Sequence, residues 1–283
     1  MTYVPARPHP ALGGVVEGYA GYDEVAGTPC RRRQAPWGGM TMILAWDGPL
    51  LLAGPDGTAP RGAFLAGMHD AVVLTSFTGR QQGVQVDLTP LGATRLLSRP
   101  AAELTDRIAL LAELDVPALA RLPDRLAATE GWPARFALVD ATLRALVDAS
   151  RMEPDPAVRH AWARLSGAAG RVPVADLADE LGWSRRHLLT RFRRQVGLAP
   201  TAAGRVLRFR HAARMLVPGT GPDRLPSTVR VTDVAATCGF ADHSHLVREF
   251  RALAGCTPTR FVAEWTGSPV VFPDVQDDRP GAP

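Results

Sequence analysis

Val174-Ala175-Asp176-Leu177-Ala178, followed by Gly182-Trp183, Leu188, Phe192, Gly197 and Pro200, is matched further along the chain. The second copy reads Val231-Thr232-Asp233-Val234-Ala235, then Gly239-Phe240, Leu246, Phe250, Gly255 and Pro258. The offset is 57 residues up to the Gly-aromatic pair and 58 beyond it, so the second copy has one extra residue at its turn. One offset shared by apolar, glycine and proline positions marks a duplicated structural unit. In the first copy Val174, Leu177, Ala178 and Leu181 form the apolar face of a short helix. Gly182 supplies a left-handed turn that a Cβ resists, and Ser184 is a good N-cap. Leu188, Phe192 and Val196, four residues apart, make the buried stripe of the next helix. Asp242, Leu246 and Phe250 repeat these parts. The pattern predicts two helix-turn-helix motifs, near 174–196 and 231–254.

The outward faces carry the chemistry. In the first copy these are Arg185, Arg186, Thr190, Arg193 and Arg194; positions 186, 190 and 193 share one surface. Arginine can meet guanine O6 and N7 bidentately, threonine a polar base edge or the thymine methyl, and Arg193 or Arg194 can grip phosphate. The second copy keeps the scaffold and presents His243, Ser244, Val247, Arg248 and Arg251 instead. Different side chains on the two helices predict an asymmetric site. Between the copies, Pro200–Leu216 reads as one helix with Val206, Phe209, Ala213 and Leu216 inside and Arg205, Arg208, Arg210 and Arg214 largely outside. At ~1.5 Å per residue it spans about 25 Å, comparable to the ~34 Å groove repeat once the flanking helices are added.

A single helix with arginines is usually a solvated face; two matched copies in the one strongly basic part of the chain are a different matter. All 32 basic residues are arginine, which makes arginine abundance uninformative by itself. Its distribution is informative. Residues 1–156 hold 14 Arg against 17 acids, residues 157–267 hold 17 Arg against 8 acids, and 268–283 one Arg against three. A basic module joined to an acidic one is the electrostatic footprint of a polyanion-binding domain.

Residues 157–267 resemble the DNA-binding domain of the AraC/XylS family of bacterial transcription regulators. The stretch that carries the resemblance runs from Cys238-Gly239-Phe240-Ala241-Asp242-His243-Ser244-His245-Leu246-Val247-Arg248-Glu249-Phe250-Arg251 to Gly255 and Thr257-Pro258. The resemblance implies a seven-helix domain whose helices starting near Ser184 and Asp242 enter adjacent major grooves. It places base readers at Arg186, Leu189 and Thr190 and at His243, Ser244, Val247 and Arg248, with His187 and His245 secondary. Double-stranded DNA, RNA polymerase, a small-molecule effector and a second copy of the chain are the partners it implies. Here the connection Val217–Arg230, with Pro218, Gly219, Gly221, Pro222 and Pro226, is longer than the family's usual one.

The first half changes character along its length. Met40–Trp46, Leu50–Ala53, Ala71–Phe77 and Gly83–Leu88 are short apolar or alternating runs cut by Asp47-Gly48-Pro49 and Gly54-Pro55-Asp56-Gly57, as in antiparallel strands. After Pro90 the period becomes helical: a helix from Leu91, a continuation over Ala101–Leu114 with Leu104, Ile108 and Leu111 on one face, then helices over 117–127 and 133–149. Two prolines in 151–156 suggest a linker. The expected class is α+β: a β-rich N-terminal domain (1–153, β-rich to 88, helical over 90–150), a cupin-like barrel or sandwich that regulates or dimerises. It precedes an all-α domain over 154–267, with two helix-turn-helix motifs joined by a linker helix, and a flexible tail over 268–283.

Other function classes find less support. No stretch reaches the ~18 uninterrupted apolar residues of a membrane span and no signal pattern opens the chain, so a cytoplasmic location is expected. No nucleophile, base and orienter stand out, and neither catalysis nor a cofactor is expected. The same helix-turn-helix domain occurs in alkyl-transfer repair proteins, but their zinc-thiolate cluster would have Cys30 alone to draw on in the N-terminal half. His69-Asp70 is too thin for a metal site. Cys238 and Cys256 align with Leu181 and Leu198 and read as core residues. Cys30, beside Arg31-Arg32-Arg33, reads either as a loop thiol or as one activated by the arginines. Trp37, Trp46 and Phe64 are candidates to line an effector pocket, or core aromatics. A regulator responding to an effector and a ligand-independent DNA binder whose first half only dimerises both fit the sequence.

Overall fold

The computed structural model describes residues 2–54, 57–217 and 228–265. β-Branched and alternating residues in the first ninety positions form seven strands, β1 (Thr2–Ala6), β2 (Val16–Gln34), β3 (Met40–Asp47), β4 (Leu50–Gly54), β5 (Gly57–Arg61), β6 (Phe64–Ala66) and β7 (Val73–Leu88), and β8 (Ile108–Leu110) comes later. All pair antiparallel in one sheet of order β1-β2-β7-β3-β6-β8, with the β4–β5 hairpin added to the first half of β7. β2 changes register between Ala26 and Cys30, a bulge that lets so long a strand bend.

The two sheet faces bury separate clusters. Ile43, Ala45, Phe64, Tyr22 and Leu52 fill the smaller one. Met40, Met42, Leu44, Val84, Val86 and Leu88, from alternate positions, enter the larger, which runs unbroken through the helices to Phe261. Four helices follow the sheet: α1 (Pro90–Leu97), α2 (Pro117–Ala120), α3 (Leu122–Ala127) and α4 (Trp132–Ala149). Seven more make the basic half: α5 (Pro156–Gly167), α6 (Val174–Glu180), α7 (Arg185–Val196), α8 (Pro200–Leu216), α9 (Val231–Thr237), α10 (His243–Ala254) and α11 (Pro258–Trp265).

Several expectations need correction. The helix over Ala101–Leu114 is absent. Ala101–Leu104 and Leu111–Glu113 are 3-10 turns on either side of β8, and Asp106 takes a positive φ of 56°. Leu104 and Leu111 are buried as the period demands, while Ile108 joins the sheet against Ala66 and packs on the smaller cluster. The 117–127 helix is two, divided at Arg121, with Pro123 in the first turn of the second. The runs Ala71–Phe77 and Gly83–Leu88 merge into one strand, β7, which begins at Val73. Cys30 is neither loop thiol nor activated: it lies buried in β2, and desolvation raises its pKa. The expected boundary at 153/154 falls between α4 and α5. Residues 218–227 of the long connection and the tail 268–283 lie outside the described residues.

Candidate nucleic-acid interface

The two turns that aim α7 and α10 are built alike. Gly182 (φ 63°) and Gly239 (φ 74°) supply the left-handed step. The following aromatic amide closes each turn on the carbonyl five residues back: Trp183 N donates to Ala178 O at 2.9 Å, and Phe240 N to Ala235 O at 3.0 Å. Ser184 Oγ accepts from His187 N at 3.2 Å, and Asp242 Oδ1 from His245 N at 2.6 Å, capping the two helices. The extra residue of the second copy is Ala241, whose amide donates to His245 Nδ1 at 3.2 Å. Each histidine sits edge-on to its turn aromatic, His187 4.5 Å from Trp183 and His245 5.4 Å from Phe240. These rings therefore serve the scaffold. Leu188, Phe192, Val196, Leu246 and Phe250 are wholly buried, which fixes how each helix is rotated.

That rotation leaves Arg185, Arg186, Leu189, Thr190, Arg193 and Arg194 exposed on α7, and His243, Ser244, Arg248 and Arg251 exposed on α10; Val247 is half-buried beside them. Leu189 is 44% exposed, unusual for a leucine in a packed domain. Thr190 donates its hydroxyl proton to Arg186 O at 3.0 Å, which leaves its lone pairs and methyl for an outside contact. Arg191 turns away from this face and pairs with Asp155 at 2.6 Å. Among the described residues no hydrogen bond or ion pair engages the guanidinium of Arg185, Arg186, Arg193, Arg194, Arg248 or Arg251. Unengaged cations grouped on two helix faces form a surface for a polyanion.

The arginines of α8 depart from the expected pattern. Arg205, Arg208 and Arg210 are half-buried; only Arg214 is exposed at the residue level. Arg210 pairs with Glu17 and lies 5.0 Å over the Trp37 ring, and Arg205 reaches Glu249 at 2.6 Å and Asp70 at 3.9 Å. Arg208 donates to Gly170 O at 3.2 Å. The outer face of α8 is thus covered in part by the N-terminal domain, at Arg210 and Arg205, and in part by its own domain, at Gly170 and Glu249. Asp87 lies beside Glu17, Arg210 and Arg214, and burial pushes its carboxyl up to about 6.

The three aromatic effector candidates do not converge. Trp37 sits under Arg210 at the domain contact, with its Nε1 donating to Thr41. Trp46 lies 6.2 Å from Trp132 and stacks with Arg135, while Phe64 is buried on the opposite sheet face. His69 hydrogen-bonds through Nδ1 to Gly67 O, and no group of three or more His, Cys, Asp or Glu gathers among the described residues. Sequence reasoning missed Arg33, Thr94 and Thr105, which reach from the N-terminal domain to the C-terminal ends of α7 and α10. Their partners lie 92 to 222 residues away, so no local pattern could have shown them.

A family described as a helix-turn-helix domain matches residues 177–264. A stretch of 78 residues is 35% identical to the uncharacterized HTH-type transcriptional regulator YbfI of Bacillus subtilis (strain 168), covering 28% of this chain and 25% of that protein. The match thus spans about a quarter of the curated relative's length. In fold the chain is similar to ToxT from Vibrio cholerae, with a TM-score of 0.52 and 12% identity over 88% of this chain and 98% of that one. A second structure of ToxT, from Vibrio cholerae O395, gives 0.50 and 11% over the same shares. This likeness is one of fold, and it extends over both halves. No helix among the described residues is long and apolar enough to cross a membrane.

Proposed function

We propose that this chain, an AraC-type helix-turn-helix regulator, reads DNA sequence by placing α7 and α10 in two adjacent major grooves. The observation that carries this reading is the pair of matched turns, each presenting a helix whose exposed arginines have no partner among the described residues. Arg186, Leu189 and Thr190 act as base readers in one groove, His243, Ser244, Val247 and Arg248 in the other. Arg185, Arg193, Arg194 and Arg251 hold phosphates. The two reader sets differ, so the recognised site is asymmetric.

The N-terminal domain modulates this binding in response to a small-molecule effector. Its contact with the last carbonyls of α7, through Thr94 and Thr105, supports this, because a change in the first half would reach the reader helix directly. RNA polymerase and a second copy of the chain are further partners on this reading. No residue is assigned a catalytic role.

The test is selection of binding sites from random duplex DNA with the full chain. The reading expects one asymmetric consensus with two informative blocks about one helical turn apart. Recovery of unrelated sequences would refute it. For the effector, a metabolite panel screened by thermal shift with and without the selected duplex should yield a compound that changes both melting temperature and DNA affinity. A compound that shifts melting and leaves DNA affinity unchanged would count against modulation.

A further inference from the structure

Each reader helix ends on a glycine pressed against the N-terminal domain. Gly197 (φ 96°) closes α7, and Gly255 (φ 68°) closes α10. Thr105 Oγ1 donates to Gly197 O at 2.9 Å, Thr94 Oγ1 to Gln195 O at 3.0 Å, and Arg33 Nη1 to Gly255 O at 3.3 Å. A Cβ on Gly197 would stand 3.1 Å from Met68 Cβ, and one on Gly255 3.2 Å from Val72 Cγ1. The segment Met68–Val72 therefore touches both helix ends, and Asp70 in its middle faces Arg205 of the connecting helix. Five residues span at most about 18 Å, so one short piece of chain bounds the separation of the two ends.

Arg33 adds a second tie. Its Nε lies 3.4 Å from Glu264 Oε2 on α11, and both side chains are more than nine-tenths buried. Nε and Oε2 make no hydrogen bond and Glu264 Oε1 also accepts from Arg260 Nε at 2.6 Å, but breaking so buried a pair is costly, and the attraction keeps α11 against β2. The second motif is thus tied to β2, and the first to α1 and to Thr105 at the end of the Ala101–Leu104 turn, all parts of the N-terminal domain. Of these contacts only that of Arg33 comes from a strand; the others come from α1, from the residue that ends the Ala101–Leu104 turn and from the loop between β6 and β7.

We propose that Arg33, Thr105 and the Met68–Val72 segment brace the two reader helices at one separation, and so determine the spacing between the two half-elements that this chain accepts. The brace acts through α7 and α10 and touches no base; its members are positioning residues. The inference rests on the two-groove reading above.

The test uses the full chain and duplexes in which the two selected blocks are moved apart or together by one and two base pairs. Wild type should prefer one spacing by at least about tenfold over its neighbours. Arg33→Gln should flatten that preference below about threefold while the consensus within each block stays the same, and Arg33→Lys should restore part of it. Thr105→Val, which removes one hydroxyl at nearly constant volume, should flatten it from the other end and serves if Arg33→Gln does not fold. A spacing profile unchanged in Thr105→Val and in a folded Arg33→Gln, or a uniform loss of affinity at every spacing, overturns the inference and leaves the two-groove reading intact. A wild-type chain indifferent to spacing also overturns it. A wild-type chain that selects no sequence at all removes the proposed function, and the brace with it.

Discussion

Arg186 and Arg193 lie on the same face of α7, both exposed and both without a partner among the described residues. Their predicted roles nevertheless differ. Arg186 stands in the first turn, the part of a recognition helix that meets base edges; Arg193 stands in the last, where the strand backbone passes. Arg186→Ala should cost about 1–3 kcal/mol at the preferred site and relax preference at one or two base pairs. Arg193→Ala should weaken binding to every sequence and reduce the salt slope by about one. Fluorescence anisotropy on matched and mismatched duplexes at several salt concentrations separates the two. The converse pattern would exchange the assignments. The cysteines give a second prediction at this scale. Burial raises the thiols of Cys238 and Cys256 to about 11, and raises that of Cys30 too. The folded chain should resist iodoacetamide at pH 8 under conditions that label all three cysteines in urea, as read by mass spectrometry. Rapid labelling of native Cys30 would show that β2 opens around it.

Among the elements, the C-terminal helices were legible because each carries its own boundary signals. Ser184 and Asp242 cap, Gly197 and Gly255 stop, and the apolar spacing between them has a single period. The first half was harder to read. Leu104, Ile108 and Leu111 are spaced as on a helix, yet two lie in 3-10 turns and one in a strand, since Leu104 and Leu111 enter the larger cluster while Ile108 packs on the smaller one. The length of β2 was hidden by its glycines, Pro29 and three consecutive arginines, which a strand tolerates once it is bulged and covered. The candidate interface was legible for a related reason: exposed residues on a helix of known rotation follow from its buried stripe. The contacts between α8 and the sheet have no such local sign. Asp87 tests that contact. In an unfolded chain its carboxyl titrates near 4, and in the fold at about 6. Between those values the folded chain keeps a proton that the unfolded one has lost. The stability this provides is complete below pH 4 and is lost as pH rises through 6, by up to about 3 kcal/mol. Asp87→Asn should therefore remove that part of the fall in urea-unfolding free energy between pH 4.5 and 7. An unaltered pH profile would show that Arg210 and Arg214 hold the carboxylate charged.

On the scale of the whole molecule, a β-rich domain without excess positive charge and a basic helical domain share one hydrophobic core, and six arginines without a partner among the described residues lie exposed on α7 and α10. To read DNA as proposed, both faces must meet one duplex at once. Hydroxyl-radical footprinting of the full chain on its selected duplex tests this directly. Two protected patches on one side of the helix, centred about ten base pairs apart, are expected, with Arg186→Ala weakening the patch over one block and Arg248→Ala that over the other. A single patch that loses protection under one substitution and ignores the other would contradict the account.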